Sequence, residues 1–326
     1  MRRSLLIALA GFLLAQGGSV SASAREAPDR AWPLYGAGEL SPPEVAETTA
    51  RLPNNRSEMA FNVSVPRLEM FRPARGKGNG TAIIVAPGGG FVGVDVGQGG
   101  AAVARALAAK GFTAFLLIYR TIRSTGDPAT LPPVHEAEMN LVMNRAATGL
   151  PTQLPPFAGE PHAVEDGARA VALVRKNARA WGITPNRVGV LGFSAGAYLA
   201  ADLAIGPKSA RPDFVGLIYG GLRGPVPADA PPAFIAAAAD DPMQPADAPM
   251  LFSAWRKAGV AAELHVYEKG GHGFTLMKQA TSSDHWFADW LAWIAVRLDG
   301  TGKVAVVAAG GPHHRSCHGQ PQASCR

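Results

Sequence analysis

Cysteine is almost absent from this chain, and its scarcity excludes whole classes of protein. The two cysteines among the 326 residues are Cys317 and Cys325, both in the last ten positions. Two cysteines at one end cannot staple a disulfide scaffold or ligate a metal cluster. A Gly-X-Y period is also missing despite 38 glycines and 27 prolines, which excludes collagen. Hydrophobic residues make up 47% and charged residues 17%, so a sizeable core is expected and global disorder is excluded.

Acidic residues are missing from both ends of the chain, and this explains its basic character. Residues 1–24 contain two arginines and no acid, and residues 300–326 contain three basic residues and no acid. Five of the six net positive charges therefore lie outside residues 25–299, which are close to neutral. A main body without a basic face argues against nucleic acid as a partner.

Long apolar runs are absent too, and the longest one near the N-terminus is short. Leu5 to Ala15 follows Arg2 and Arg3 and is too short to span a bilayer comfortably. Ala22-Ser23-Ala24 matches an A-x-A cleavage site. We expect residues 1–24 to be a secretory signal peptide, with a retained membrane anchor as the alternative. The mature protein would then be periplasmic or secreted, without stable membrane association.

Three segments differ in composition from the rest of the chain. Residues 25–55 are polar and rich in proline, and we expect them to wrap the surface. Residues 300–326 mix His and Cys without finger-like spacing, which favours a disordered tail over a metal-binding one. Residues 123–161 contain seven prolines and are long for a connection, so they form either a lid or a surface excursion. The main folded domain is expected to span residues 56–299.

Strand-like and helix-like segments alternate within that domain. Strands that are apolar throughout are typical of a parallel sheet covered by helices, and the alternation predicts an α/β fold. Residues 61–71, upstream, are expected to supply antiparallel edge strands. The predicted parallel strands are residues 81–86, 112–119, 187–191, 214–219, 233–239 and 262–267, and the main helices are residues 99–110, 163–181, 195–205, 246–258 and 283–298.

A strand-to-helix turn carries the candidate nucleophile. Gly192-Phe193-Ser194-Ala195-Gly196 follows a predicted strand and opens a predicted helix. Such a turn exposes the serine hydroxyl above the sheet, and the two glycines leave room for close backbone approach. We therefore predict Ser194 as the nucleophile.

A serine hydroxyl needs a base to take its proton, and the base needs an acid to orient it. His272 lies in a glycine-rich loop just after the last predicted strand, which favours it over the other seven histidines. Asp240 and Asp241 follow the strand 233–239 at its carboxyl end, where α/β sites form. We prefer Asp241, which begins a turn able to aim a carboxylate, and keep Asp240 as the alternative.

Successive glycines after the first parallel strand predict an oxyanion hole. Pro87 is followed by Gly88, Gly89 and Gly90, whose backbone N–H groups can approach a substrate oxygen without steric hindrance. The predicted donors are Gly89, with Gly88 as the alternative, and Ala195. A phosphate-binding loop is disfavoured because the Walker spacing is missing and no Lys follows, although Gly88, Gly90 and Gly93 have the G-x-G-x-x-G spacing.

Taken together, these motifs resemble those of the secreted bacterial α/β-hydrolase esterases, in particular the acetylxylan esterase and feruloyl esterase-like branch. The resemblance covers residues 61–298 and implies a mostly parallel sheet of about eight strands with helices on both faces. Gln98 stands where many of these esterases have an acidic residue, and Tyr198 stands where His is common. These two departures bear on which substrate is bound and leave the expected chemistry unchanged. The motifs are Pro87-Gly88-Gly89-Gly90-Phe91, Tyr119-Arg120, Glu165-Asp166-Gly167, Trp181-Gly182-Ile183, GFSAGA at 192–197, Asp240-Asp241-Pro242 and GGHGF at 270–274.

The resemblance implies a serine carboxylic-ester hydrolase that needs no cofactor or metal. Its expected substrate is a short acyl ester, such as an acetyl group on xylan-type polysaccharide or its oligosaccharides. The alternative enzymatic activities on the same fold are those of a feruloyl esterase and a peptidase. A non-catalytic, hydrolase-like binding protein is the alternative from another class, since fold alone does not prove activity.

Overall fold

A computed structural model describes residues 27–51, 57–124 and 130–299 of the chain. The predicted signal peptide (1–24) and the predicted C-terminal tail (300–326) lie outside the described residues. Within the described ranges, none of the helices has both the length and the apolar character that crossing a bilayer requires.

Strands and helices alternate along most of the described chain. A single π-helical turn at Gly97–Ala101 leads into the first α-helix. The strands are β1 (Arg30–Pro33), β2 (Thr48–Ala50), β3 (Met59–Phe61), β4 (Arg67–Phe71), β5 (Ala82–Ala86), β6 (Gly93–Asp95), β7 (Thr113–Ile118), β8 (Val188–Phe193), β9 (Phe214–Ile218), β10 (Ala233–Ala238) and β11 (Ala262–Tyr267). The α-helices are α1 (Ala102–Ala109), α2 (Pro133–Ala146), α3 (Glu160–Asn177), α4 (Ala195–Ile205), α5 (Asp247–Lys257) and α6 (Trp286–Asp299).

The main sheet has eight strands in the order β1-β4-β7-β5-β8-β9-β10-β11. β4 pairs antiparallel with both β1 and β7, and the strands from β7 to β11 pair in parallel. Every residue of β5, β7, β8, β9 and β10 is buried, so both faces of these strands are covered. The predicted mostly parallel sheet of about eight strands is confirmed.

The N-terminal segment lies mostly at the surface, as predicted, and it also contributes strands to both sheets, which was not predicted. Residues 67–71 form β4, which is antiparallel as predicted, but β1 is the edge strand and β4 lies second from the edge. β2 pairs with β3 in a small three-stranded sheet. β1 has no apolar run to reveal it: it is short and mostly exposed, and Trp32 packs on Trp181 with ring centroids 4.7 Å apart.

Two of the sequence motifs meet in the fold and support the scaffold. The backbone N–H of Arg120 donates to Asp166 Oδ2 at 2.7 Å, and Arg120 Nε donates to Oδ1 at 2.9 Å. Tyr35 donates its hydroxyl to the same carboxylate at 2.9 Å. Arg120 follows β7 and Asp166 lies in α3, so these bonds fix the helix against the end of the strand. The paired charges satisfy a buried carboxylate that would otherwise be costly.

Candidate active site

Ser194 occupies a strained turn between β8 and α4. Its backbone has φ +51° and ψ −118°, which a non-glycine residue adopts only where the surroundings enforce it. A Cβ on Gly192 would lie 2.1 Å from the carbonyl oxygen of Gly196, and one on Gly196 would lie 1.9 Å from that of Ala86. The two glycines are therefore needed for the close approach that the turn requires.

The structure brings Ser194, His272 and Asp241 into one hydrogen-bonded chain. Ser194 Oγ lies 2.8 Å from His272 Nε2, and His272 Nδ1 lies 2.8 Å from Asp241 Oδ2. The three residues follow the carboxyl ends of β8, β10 and β11, which lie in the same half of the sheet. This arrangement allows the imidazole to accept the serine proton while the carboxylate holds it in the required tautomer.

Asp241 is held as a carboxylate by its surroundings. It is 2% exposed, and burial alone would raise its pKa. The charge and hydrogen bond of His272, together with the backbone N–H groups of Met243 and Gln244, outweigh burial and lower the pKa of Asp241. An ionised Asp241 can stabilise the imidazolium that forms when His272 accepts a proton.

Asp240, the alternative acid, contacts the histidine loop instead of the imidazole. Its Oδ1 accepts the backbone N–H groups of Gly270 and Gly271 at 3.0 and 2.8 Å. Asp240 therefore shapes the loop that carries His272, while its neighbour Asp241 contacts the ring.

The predicted oxyanion residues lie around Ser194. Gly88 is so close that a Cβ on it would lie 3.1 Å from Ser194 Cβ. Gly89 has φ +138°, a conformation that favours glycine, and lines both cavities at the serine. Within the described residues, no protein acceptor is assigned to the N–H groups of Gly88, Gly89 or Ala195. These N–H groups are thus available for a substrate oxygen.

Two tyrosines support the site. Tyr119 belongs to the Tyr119-Arg120 motif but was given no role from the sequence, and sequence reasoning missed Tyr219. Tyr119 donates its hydroxyl to the carbonyl of Pro87 at 2.7 Å and so fixes the start of the glycine loop. Tyr219 packs on the His272 ring with centroids 4.9 Å apart and donates to the carbonyl of Phe274 at 2.8 Å. Their positions in the sequence could have indicated a role at the site: each tyrosine directly follows a buried strand of the sheet.

Two cavities meet at Ser194 and His272. The larger, about 820 Å³, is lined by the loop after His272 and by polar residues that include Ser57, Asp95 and Gln98. Ser57 donates its hydroxyl to Asp95, whose pKa burial raises. The smaller cavity, about 360 Å³, has mostly apolar walls. A site with a polar side and an apolar side can hold the two unlike halves of an ester.

The predicted insertion contributes to the smaller cavity, so it is more than a remote surface excursion. Five of its residues line the cavity: Leu131, His135, Met139 and Val142 lie on or near α2, and Phe157 lies farther along the insertion. His135 packs against Gly90 of the glycine loop, and burial lowers the pKa of His135. That the insertion forms a lid stays a prediction.

A buried ion pair anchors the end of the insertion. Arg223 Nε and Nη2 donate to the two carboxylate oxygens of Glu160 at 2.8 and 2.7 Å, and Nη1 donates to the carbonyl of Leu154 at 2.7 Å. The guanidinium also lies over the rings of Phe157 and Tyr198. Tyr198 is thus part of a packed arginine site.

Metal-ligating side chains do not cluster in the part of the chain that the structure describes. No group of three or more His, Cys, Asp or Glu residues there has the geometry of a metal site. The His and Cys of the tail lie outside the described residues.

Comparison with known proteins agrees with the fold. Residues 153–229 match a family described as having the alpha/beta hydrolase fold. An acetylxylan esterase of Xylanibacter ruminicola is 31% identical over 147 residues, which cover 34% of this chain and 30% of that protein. An endo-1,4-beta-xylanase B of Butyrivibrio fibrisolvens is 27% identical over 169 residues, covering 39% and 26% respectively. The chain thus spans less than a third of the length of these curated relatives.

Solved structures share the architecture over nearly their whole length. An acetyl ester-xyloside bifunctional hydrolase from Caldicellulosiruptor lactoaceticus superposes with a TM-score of 0.58 at 24% identity, over 83% of this chain and 97% of that one. At this identity the likeness concerns the fold. The protein has the α/β-hydrolase fold, as the motif resemblance implied.

Proposed function

We propose that this protein is a serine carboxylic-ester hydrolase. The observation that carries the proposal is the hydrogen-bonded chain from Ser194 through His272 to Asp241, beside the free N–H groups of Gly89 and Ala195. The name of the relative from Xylanibacter ruminicola, an acetylxylan esterase, supports the same class of reaction.

Acylation begins with attack of Ser194 Oγ on the ester carbonyl carbon. His272 Nε2 takes the hydroxyl proton as the bond forms, and Asp241 stabilises the resulting imidazolium. The carbonyl oxygen becomes an oxyanion that the N–H groups of Gly89 or Gly88 and of Ala195 stabilise. Each such donor contributes about 3 kcal/mol at the transition state. Collapse breaks the bond to the alcohol oxygen, which receives the proton from His272.

Deacylation repeats the same steps with water as the nucleophile. His272 takes a proton from the water as it attacks the acyl-enzyme carbonyl, and the same N–H groups stabilise the second oxyanion. Collapse releases the acid and returns the proton to Ser194 Oγ. The chain's own residues supply every proton transfer, so the mechanism calls for no cofactor or metal.

The proposed substrate is a short acyl ester on a carbohydrate of the xylan type. The larger cavity, with Ser57, Asp95 and Gln98 in its wall, offers hydrogen-bonding groups to a polyhydroxylated alcohol. Export, as proposed from residues 1–24, would bring the enzyme to polysaccharide outside the cell. Feruloyl esters and peptides are the competing substrates on the same fold.

The experiment compares wild type with Ser194→Ala on p-nitrophenyl acetate and on acetylated xylo-oligosaccharides, with feruloylated arabinose and a dipeptide amide alongside. We expect acetate release by wild type and loss of about 10⁶-fold in kcat for the variant, the scale found when a triad serine is removed. Equal hydrolysis by both proteins would refute the proposal. No hydrolysis and no reaction with a fluorophosphonate would favour a binding protein instead.

A further inference from the structure

The smaller cavity beside Ser194 contains a buried amide that the mechanism does not use. Gln244 lies three residues after Asp241, is 4% exposed and lines this cavity. Most other wall residues are apolar, among them Met59, Phe61 and Val92. A single amide in an apolar wall beside the nucleophile is a strong candidate for recognising one particular group.

A chain of hydrogen bonds fixes which atom of the amide is free. Thr152 Oγ1 donates to Asp247 Oδ1 at 2.5 Å, so its single proton is used. The Tyr198 hydroxyl, 2.7 Å from Thr152 Oγ1, must therefore donate to it. Tyr198 can then accept, and it receives Gln244 Nε2–H at 2.7 Å. Each hydroxyl in this chain donates toward the Asp247 carboxylate, so the amide must present its Nε2 group to Tyr198.

The other amide atom, Gln244 Oε1, is buried and has no hydrogen-bond partner among the described residues. Buried polar atoms are normally paired, because an unpaired one loses its hydration without compensation. Oε1 can only accept a hydrogen bond. Because Oε1 is covered, a donor reaches it from a group that fills the cavity and displaces the side chains over the amide.

The reaction assigns the two cavities to the two halves of the ester. His272 protonates the leaving alcohol oxygen, so the alcohol lies on the side of the His272 loop. That loop, with Gly273, Thr275 and Met277, lines the larger cavity and not the smaller one. The smaller cavity is left for the acyl group. Its volume of about 360 Å³ equals that of about a dozen water molecules, far more than an acetyl group needs.

We propose that Gln244 is a specificity-determining residue whose Oε1 accepts a hydrogen bond from a hydroxyl carried by the acyl group. This inference rests on the proposed ester hydrolase activity and shifts the expected acyl group from acetyl to a larger one. The enzyme then prefers acyl groups that are larger than acetyl and hydroxylated over plain acyl groups of the same skeleton.

The test uses matched p-nitrophenyl esters that differ by one hydroxyl. One pair is 3-hydroxybutyrate and butyrate, and the other is 4-hydroxyphenylacetate and phenylacetate. The 4-methoxyphenylacetate ester is included because its oxygen cannot donate. Each kcat/KM is divided by the alkaline hydrolysis rate of the same ester, which removes differences in intrinsic reactivity.

The readout is the ratio of kcat/KM, hydroxylated over plain, measured within each protein. In wild type we expect a ratio of about ten for the pair whose hydroxyl reaches Oε1, and no such gain for the methoxy ester. The ratio should fall to about one in Gln244→Leu and in the near-isosteric Gln244→Met. Met243→Leu, a change in the same wall that leaves the amide in place, should keep the wild-type ratio.

Two results would overturn this assignment: wild-type ratios near one for both pairs, or a wild-type preference that survives in both Gln244 variants. Far-ultraviolet circular dichroism and fluorophosphonate titration of Ser194 show whether each variant is folded. If neither variant folds, the wild-type ratios and the methoxy ester still decide. Absence of hydrolysis of every ester in the set, hydroxylated and plain, would instead refute the proposed function.

Discussion

Replacing Asp241 by Asn, with Asp240→Asn as the matched control, tests how the site orients its base. Asp241 Oδ1 accepts the backbone N–H groups of Met243 and Gln244 at 2.8 and 3.2 Å. In the variant these two donors hold the amide oxygen in the Oδ1 position. The Nδ2 group then occupies the Oδ2 position and presents a donor to His272 Nδ1.

An imidazole that accepts at Nδ1 must carry its proton on Nε2. His272 Nε2 would then face Ser194 Oγ as a donor and could not take the serine proton. Such a tautomer reversal costs about 10⁴-fold in kcat, or about 5.5 kcal/mol in the transition-state barrier. Asp240→Asn keeps an oxygen for the N–H groups of Gly270 and Gly271, so we expect a loss of about threefold.

The assay is kcat on p-nitrophenyl acetate at pH 7.5 for both variants, normalised to folded protein by circular dichroism. The melting temperature of each variant separates unfolding from loss of chemistry. Losses of similar size in the two variants, or a larger loss in Asp240→Asn, would refute the proposed orientation of the base by Asp241.

Two further predictions concern stability. Gly196→Ala places a Cβ 1.9 Å from the carbonyl oxygen of Ala86, so we expect the free energy of unfolding to fall by about 3 kcal/mol or more. In the control Gly78→Ala the new Cβ would make ordinary van der Waals contact, so the free energy of unfolding should stay within about 0.5 kcal/mol of wild type. Equal melting temperatures of the two variants in thermal unfolding would contradict this prediction. Burial and the neighbouring Glu160 raise the pKa of Asp202 to about 7, so the folded state holds a proton that the unfolded chain has released, and stability falls as pH rises from about 4 through 7. Asp202→Asn removes this titration, and its melting temperature should exceed that of wild type at pH 8.5 by more than at pH 5; a constant difference would contradict the assignment.

The sequence predicted the elements whose signals are local. Helix α4 and strand β11 have the predicted bounds, because a glycine-flanked turn precedes α4 and a short segment with apolar residues at alternate positions, bounded by turns, forms β11. The edge strand β1 was missed, since a four-residue strand with one inward tryptophan has no hydrophobic period. Its place in the sheet depends on pairing with residues 67–70, which only the folded chain brings near.

The features of the site also fall into those that local sequence predicts and those that only the folded chain reveals. Ser194 and His272 could be selected from glycine-rich turns after strands, whereas Asp240 and Asp241 are adjacent and only the backbone geometry decides which one faces the imidazole. The bonds around Gln244 join residues 46 and 95 positions apart, and nothing local marks Thr152 as the partner of Asp247. Long-range polar contacts of this kind are set by packing and leave no periodic signal in the sequence.

Covalent labelling of the folded protein with a fluorophosphonate, followed by peptide mass mapping, tests the central claim most directly. The account predicts one phosphonyl adduct, located on Ser194, with ester hydrolysis lost in proportion to the labelled fraction. Hydrolysis that persists after Ser194 is fully labelled, or an adduct elsewhere that accounts for the inhibition, would contradict it.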